Sequence, residues 1–267
     1  MISEALRRNC ARSPERQEWL DRLPGAVARL VKHWDLALEE PFAVEGEASW
    51  VRPVTRRDGT PAVLKLGMPH FEADHEAAGL RFWSGDPTIR LLEEEDGAML
   101  LERCKPGTPL NERPEPEQDE VLARCLRALW RPASGTFRPL SFMIESWIAE
   151  APPHEQGIET FRSLLASSPS EVLLATDLHA GNVLASGRQP WLVIDPKPFV
   201  GDPAYDATQH LLNCPGRMSE DPLGTIARYA DLLGVDRDRV RRWLFARLTA
   251  APGDERGAGW DAILIRL

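Results

Sequence analysis

Apolar positions near the start of the chain recur at three- and four-residue steps. Trp19, Leu20, Leu23, Val27, Leu30, Val31 and Trp34 share that period, which predicts a helix over residues 15–38, broken or kinked at Pro24-Gly25. From Phe42 the period changes. PFAVEGEASWVRPVTRRDGTPAVLKL contains apolar, β-branched stretches separated by two turn signals, Glu45-Gly46 and Asp58-Gly59, predicting three antiparallel strands joined by hairpins. In FEADHEAAGLRFW a helical face returns through Phe71, His75, Ala78, Leu80 and Trp83. RLLEEEDGAMLLERC then gives two more strands about Asp96-Gly97.

The proline-rich stretch KPGTPLNERPEPE marks passage into a second region. Helical periodicity dominates beyond it, at residues 117–130, 140–150, 158–167, 206–213, 222–234 and 237–250. Two segments interrupt it: LLATDLHAGNVL, and PWLVIDPKP, which reads as a strand ending on an aspartate. The pattern predicts an α+β protein with a strand-rich first part and a mainly helical second part.

Composition narrows the class. A chain of 267 residues suffices for two modest lobes, and 43% hydrophobic with 27% charged residues excludes a wholly disordered chain. The net charge of −9 argues against a nucleic-acid partner and mildly favours cationic ligands. Cys10, Cys104, Cys125 and Cys214 lie far apart, so neither a zinc knuckle nor a disulfide framework is expected. No signal-peptide core opens the chain and no 18-residue apolar run follows, which predicts a cytoplasmic protein without a membrane partner.

The chemistry concentrates in residues 174–196. Asp177 closes an apolar run, His179 and Asn182 follow it, and Asp195 closes a second run eighteen residues on. Carboxylate and amide oxygens are hard ligands suited to Mg²⁺, and a carboxylate held near the metal can accept a proton from an attacking hydroxyl. Turn-forming and capping roles are the plain alternative for each residue alone. Lys65, within PAVLKL, needs a partner if its strand is buried, and Glu76 on the next helix can supply one. In EGEASW, backbone N–H groups near Ala48 and the Ser49 hydroxyl could cover phosphates, or the segment is an ordinary hairpin turn. His70 and His75 lack the spacing of a helical zinc pair, and DRDRVRR fits a solvated helix face.

In this order, the segments SWVRPV, DGTPAVLKL, the Glu76 helix, AMLLER, LRALWRP, DLHAGNVL and WLVIDPKPFVGDPAYD resemble the aminoglycoside/hydroxyurea resistance kinases, over roughly residues 42–250. The resemblance implies a two-lobed protein-kinase-like fold. Residues 1–106 would hold an N-terminal helix and a small antiparallel-sheet lobe for nucleotide, and residues 107–267 a helical catalytic and acceptor-binding lobe. It implies ATP and Mg²⁺ as cofactors, and a small cationic acceptor, an aminoglycoside such as streptomycin, phosphorylated on a hydroxyl. Asp177 would be the catalytic aspartate and meet the acceptor, with Asn182 and Asp195 on the metal. Lys65, paired with Glu76, would hold phosphates, and Ser49 would cover them. Arg103 and Lys105, in a hinge at 102–105, would meet adenine. Asp206 would brace the catalytic loop and Asp202 would bind acceptor cations. A monomer or weak dimer is expected.

The chain departs from the family pattern twice. Ala175-Thr176 stand where the family reads His-Gly, whose histidine hydrogen-bonds beneath the loop, and Ala180-Gly181 stand where it reads His-Glu. A metabolic kinase for a sugar or amino alcohol, or a catalytically weak nucleotide-binding scaffold, remain alternatives at this point.

Overall fold

The computed structural model describes residues 2–43, 46–133, 135–150, 154–250 and 260–267. They form two compact units, Met1–Gly107 and Thr108–Leu267.

The first unit opens with helices α1 (Glu4–Cys10) and α2 (Pro14–His33). Strands β1 (Leu36–Leu38), β2 (Ser49–Arg56) and β3 (Pro61–Gly67) follow, then α3 (Glu76–Trp83), β4 (Leu91–Glu95) and β5 (Ala98–Glu102). The five strands make one antiparallel sheet in the order β1-β2-β3-β5-β4. Strand alternation divides its faces. Trp50, Val54, Ala62, Leu64 and Leu66 join Leu6, Cys10, Leu20, Leu23 and Leu30 of α1 and α2 in one apolar core. Lys65, between Leu64 and Leu66, therefore points to the opposite face.

Two expectations are corrected here. Pro24 lies inside α2 without ending it, because Leu20, Leu23 and Leu30 are buried on both sides of it and hold the helix through the missing bond. The helix stops at His33, and the strand expected just after Phe42 is instead Leu36–Leu38, paired with β2. Glu45, half of the expected Glu45-Gly46 turn, lies outside the described residues. The Asp96-Gly97 turn forms as expected: φ is 51° and 78°, the left-handed pair that a two-residue hairpin requires.

Strand β6 (Pro106–Pro109) lies where the chain passes from one unit to the other. The second unit contains α4 (Glu115–Leu129), α5 (Leu140–Glu150), α6 (Glu155–Ala166), β7 (Val172–Leu174), β8 (Val183–Ser186), β9 (Trp191–Val193), β10 (Phe199–Gly201), α7 (Pro203–Leu212), α8 (Pro215–Glu220), α9 (Pro222–Leu233), α10 (Arg237–Ala250) and α11 (Trp260–Leu264). β7 pairs antiparallel with β10, and β8 with β9. Helix α10 packs on α6, α7 and α9 around buried Phe161, Tyr205 and Trp243. Helices α4 and α7 contact β7, and α5 contacts β10. The β7–β8 connection holds Asp177 and Asn182, and the β9–β10 connection holds Asp195. No helix among the described residues is long and apolar enough to cross a membrane, and all four cysteines are buried, with no disulfide among the described residues.

Candidate active site

In the first unit, the Lys65 ammonium lies 2.7 Å from both carboxylate oxygens of Glu76. Both residues are buried, at 6% and 3% exposure. β3 puts Lys65 on the face away from the α1/α2 core, and α3 delivers Glu76 from its first turn. A buried ion pair carries a desolvation cost, so the pair is weak evidence of stabilisation.

The neighbouring candidates are built differently. Ser49 opens β2 opposite Gly67, and the Ala48 carbonyl accepts from Met68 N at 2.8 Å. Helix α1 fastens the preceding turn through carbonyls: Gly46 O accepts from Ser3 Oγ, and Glu47 O from Asn9 Nδ2. Arg103 donates to Glu39 at 2.7 Å and covers the Phe42 ring, while Lys105 is exposed.

In the second unit, β7 runs directly into residues 175–182, and Asp206 on the first turn of α7 grips that loop from below. Its Oδ2 accepts from Ala175 N (3.1 Å) and Trp130 Nε1 (2.9 Å), and its Oδ1 from Thr176 N (2.8 Å). Asp206 is 1% exposed, and burial pushes its carboxyl up to about 6 against those three donors.

Thr176 adopts φ 49°, costly for a β-branched residue and natural for the glycine usual there. Its hydroxyl donates to Lys197 O at 2.6 Å, and Lys197 N donates to Ala175 O at 2.9 Å. The threonine thus supplies a tie beneath the loop on its own side chain. Burial, foremost, lowers the pKa of the His179 imidazole, and its Nδ1 accepts from Gly181 N at 3.1 Å. A Cβ on Gly181 would come within 2.8 Å of the imidazole Cε1, so this ring position requires the glycine that departs from the family pattern.

The Asp177 carboxylate is held at both oxygens. Gln209 Nε2 donates to Oδ1 at 2.9 Å, and Lys197 Nζ forms an ion pair with Oδ2. Asn182 Nδ2 donates to the Asp177 carbonyl at 3.0 Å, which leaves the amide oxygen of Asn182 as its acceptor end. Asn182 immediately precedes β8 and Asp195 follows β9 by two residues. The β8–β9 register and the 2.9 Å bond from Ile194 N to Asn182 O bring these two segments to the same end of the hairpin. An amide oxygen and a carboxylate there suit Mg²⁺, which takes one or two protein oxygens and leaves its other positions to phosphate and water.

A model of the aminoglycoside/hydroxyurea antibiotic resistance kinases matches residues 33–257. The chain belongs to that family. It is 38% identical over 256 residues to the streptomycin 6-kinase of Streptomyces griseus, covering 88% of this chain and 83% of that protein. It is 36% identical over 251 residues to the hydroxyurea phosphotransferase of Kitasatospora aureofaciens, covering 87% and 73%. In fold, this resistance kinase is similar to the choline kinase LicA of Streptococcus pneumoniae, with a TM-score of 0.61 over 92% of each chain at 12% identity. The two-lobed kinase-like class follows, and the chain is an ATP-dependent phosphotransferase.

One predicted acceptor contact is corrected. Asp202 is 2% exposed and caps α7 through Ala204 N. Its Oδ2 also accepts from Trp243 Nε1 at 2.6 Å and pairs with Arg239. With its charge already matched by a guanidinium, it is a structural carboxylate of the α7–α10 packing. The residues that touch the Asp177 carboxylate and were missed in the sequence are Lys197 and Gln209. Lys197 stood in plain view in DPKP, whereas nothing in the sequence links Gln209 to Asp177.

Proposed function

We propose that this resistance kinase transfers the γ-phosphoryl group of ATP to a hydroxyl of an aminoglycoside-type, streptomycin-like antibiotic, in the cytoplasm and as a monomer or weak dimer. The observation that carries the reading is Asp177, a loop carboxylate gripped at both oxygens beside the oxygen donors of Asn182 and Asp195. Relatives named as streptomycin 6-kinases and a net charge of −9, suited to a cationic acceptor, support the substrate class.

Asp177 orients the acceptor hydroxyl and takes its proton as that oxygen bonds to the γ-phosphorus. The bond from phosphorus to the bridging oxygen breaks and ADP leaves. Asn182 and Asp195 would hold Mg²⁺, which would supply neutralisation of charge on the phosphate oxygens. Lys65, steadied by Glu76, binds the phosphates that are not transferred, and the 102–105 segment receives adenine. Asp206 and Thr176 keep the loop in the conformation that presents Asp177.

Mass spectrometry across a panel of aminoglycosides, peptide antibiotics, hydroxyurea, sugars and amino alcohols tests the assignment. Gain of one phosphoryl group by streptomycin is the expected result. Phosphorylation confined to a sugar or amino alcohol would replace the antibiotic with a metabolite.

A further inference from the structure

Arg247 on α10 is 6% exposed and, among the described residues, has no carboxylate ion-pair partner. Among the described residues its Nε has no hydrogen-bond partner. Buried guanidinium groups normally sit in a carboxylate fork, because burying the charge is otherwise expensive. This one lies over the rings of Tyr205 (5.1 Å) and Trp147 (5.7 Å), and among the described residues it donates to neutral oxygens. Nη1 donates to Thr208 Oγ1 at 2.7 Å, and Nη2 to Gln209 Oε1 at 2.6 Å. Its charge also lies near Asp206.

The second of these bonds has a direct consequence for Asp177. A guanidinium can only donate, so it fixes the Gln209 amide with oxygen towards Arg247 and nitrogen away. That nitrogen is the group donating to Asp177 Oδ1 at 2.9 Å. Reversing the amide would set NH₂ against guanidinium and an oxygen against a carboxylate, two repulsive contacts in place of two attractive ones.

We propose that Arg247 and Gln209 are positioning residues for phosphoryl transfer, a relay that fixes the rotation of the Asp177 carboxylate. Oδ1 is anchored by the relay. Oδ2, paired with the Lys197 ammonium, is the oxygen that receives the acceptor hydroxyl. The inference rests on the phosphotransfer reading above.

The test compares wild type, Gln209→Met, Arg247→Met and the double variant, using the acceptor that wild type phosphorylates in the panel. Each single variant should lose kcat on the order of 10- to 100-fold while KM for ATP stays within about threefold, since a freely rotating carboxylate misplaces the hydroxyl without touching nucleotide. The double variant should be no worse than the poorer single variant, because the two residues act through one bond. Thermal unfolding of each protein separates this loss from misfolding. Should Arg247→Met fail to fold, Gln209→Met decides alone. Wild-type kcat in Gln209→Met, a loss confined to KM for ATP, or multiplicative losses in the double variant would each overturn the relay. Absence of any transfer by wild type would instead overturn the phosphotransfer reading, and the relay with it.

Discussion

Lys65 and Glu76, eleven residues apart in sequence, meet in a buried ion pair with the ammonium 2.7 Å from both carboxylate oxygens. The pair presents a cation on the sheet face opposite the α1/α2 core, where packing gains nothing from a charge. Lys65→Ala removes the cation and leaves Glu76 without it. A loss of at least about tenfold in kcat/KM for ATP is expected, ~1.4 kcal/mol of transition-state stabilisation, in steady-state kinetics with varied ATP. Unchanged ATP kinetics would make the pair purely structural.

Asp195 follows β9 by two residues and is not part of the apolar core, so Asp195→Ala should fold as wild type does by circular dichroism. Turnover should be lost even at saturating Mg²⁺ and ATP, and chelation should silence wild type reversibly. Near-normal turnover in the variant would remove Asp195 from the metal.

Asp206 carries a pH signature opposite to that of an exposed, ion-paired carboxylate. Burial raises it to about 6 in the folded chain from an ordinary 3.8, so folding holds its proton. Its contribution to stability is fully present below the unfolded value and is lost as pH rises through about 6, a change of ~3 kcal/mol. Urea unfolding of wild type and Asp206→Asn between pH 4 and about 7 should show wild type losing ground to the variant as pH rises. A pH-independent difference between the two proteins would contradict this origin.

What could be read from the sequence was what depends on neighbours along the chain. The Asp-Gly pairs marked the hairpins, since left-handed φ is needed at Gly59 and at both Asp96 and Gly97, and the helical stripes of α4, α5, α9 and α10 marked those helices nearly to their ends. Leu36–Leu38 was missed because a three-residue strand has no period to detect. Pro24 does not end the helix because tertiary packing holds it across the missing bond. Asp202 was misassigned because its partners, Arg239 and Trp243, lie 37 and 41 residues away. Gln209 and Arg247, 38 residues apart, have no local mark of their meeting.

The most direct test of the account is Asp177→Asn, which keeps the size and hydrogen-bonding shape of the side chain and removes its charge and proton acceptor. Calorimetry should find ATP·Mg²⁺ binding within a few-fold of wild type, while phosphoryl transfer to the acceptor falls on the order of 10²–10⁴-fold. Full transfer by Asp177→Asn would contradict the mechanism, whatever the acceptor.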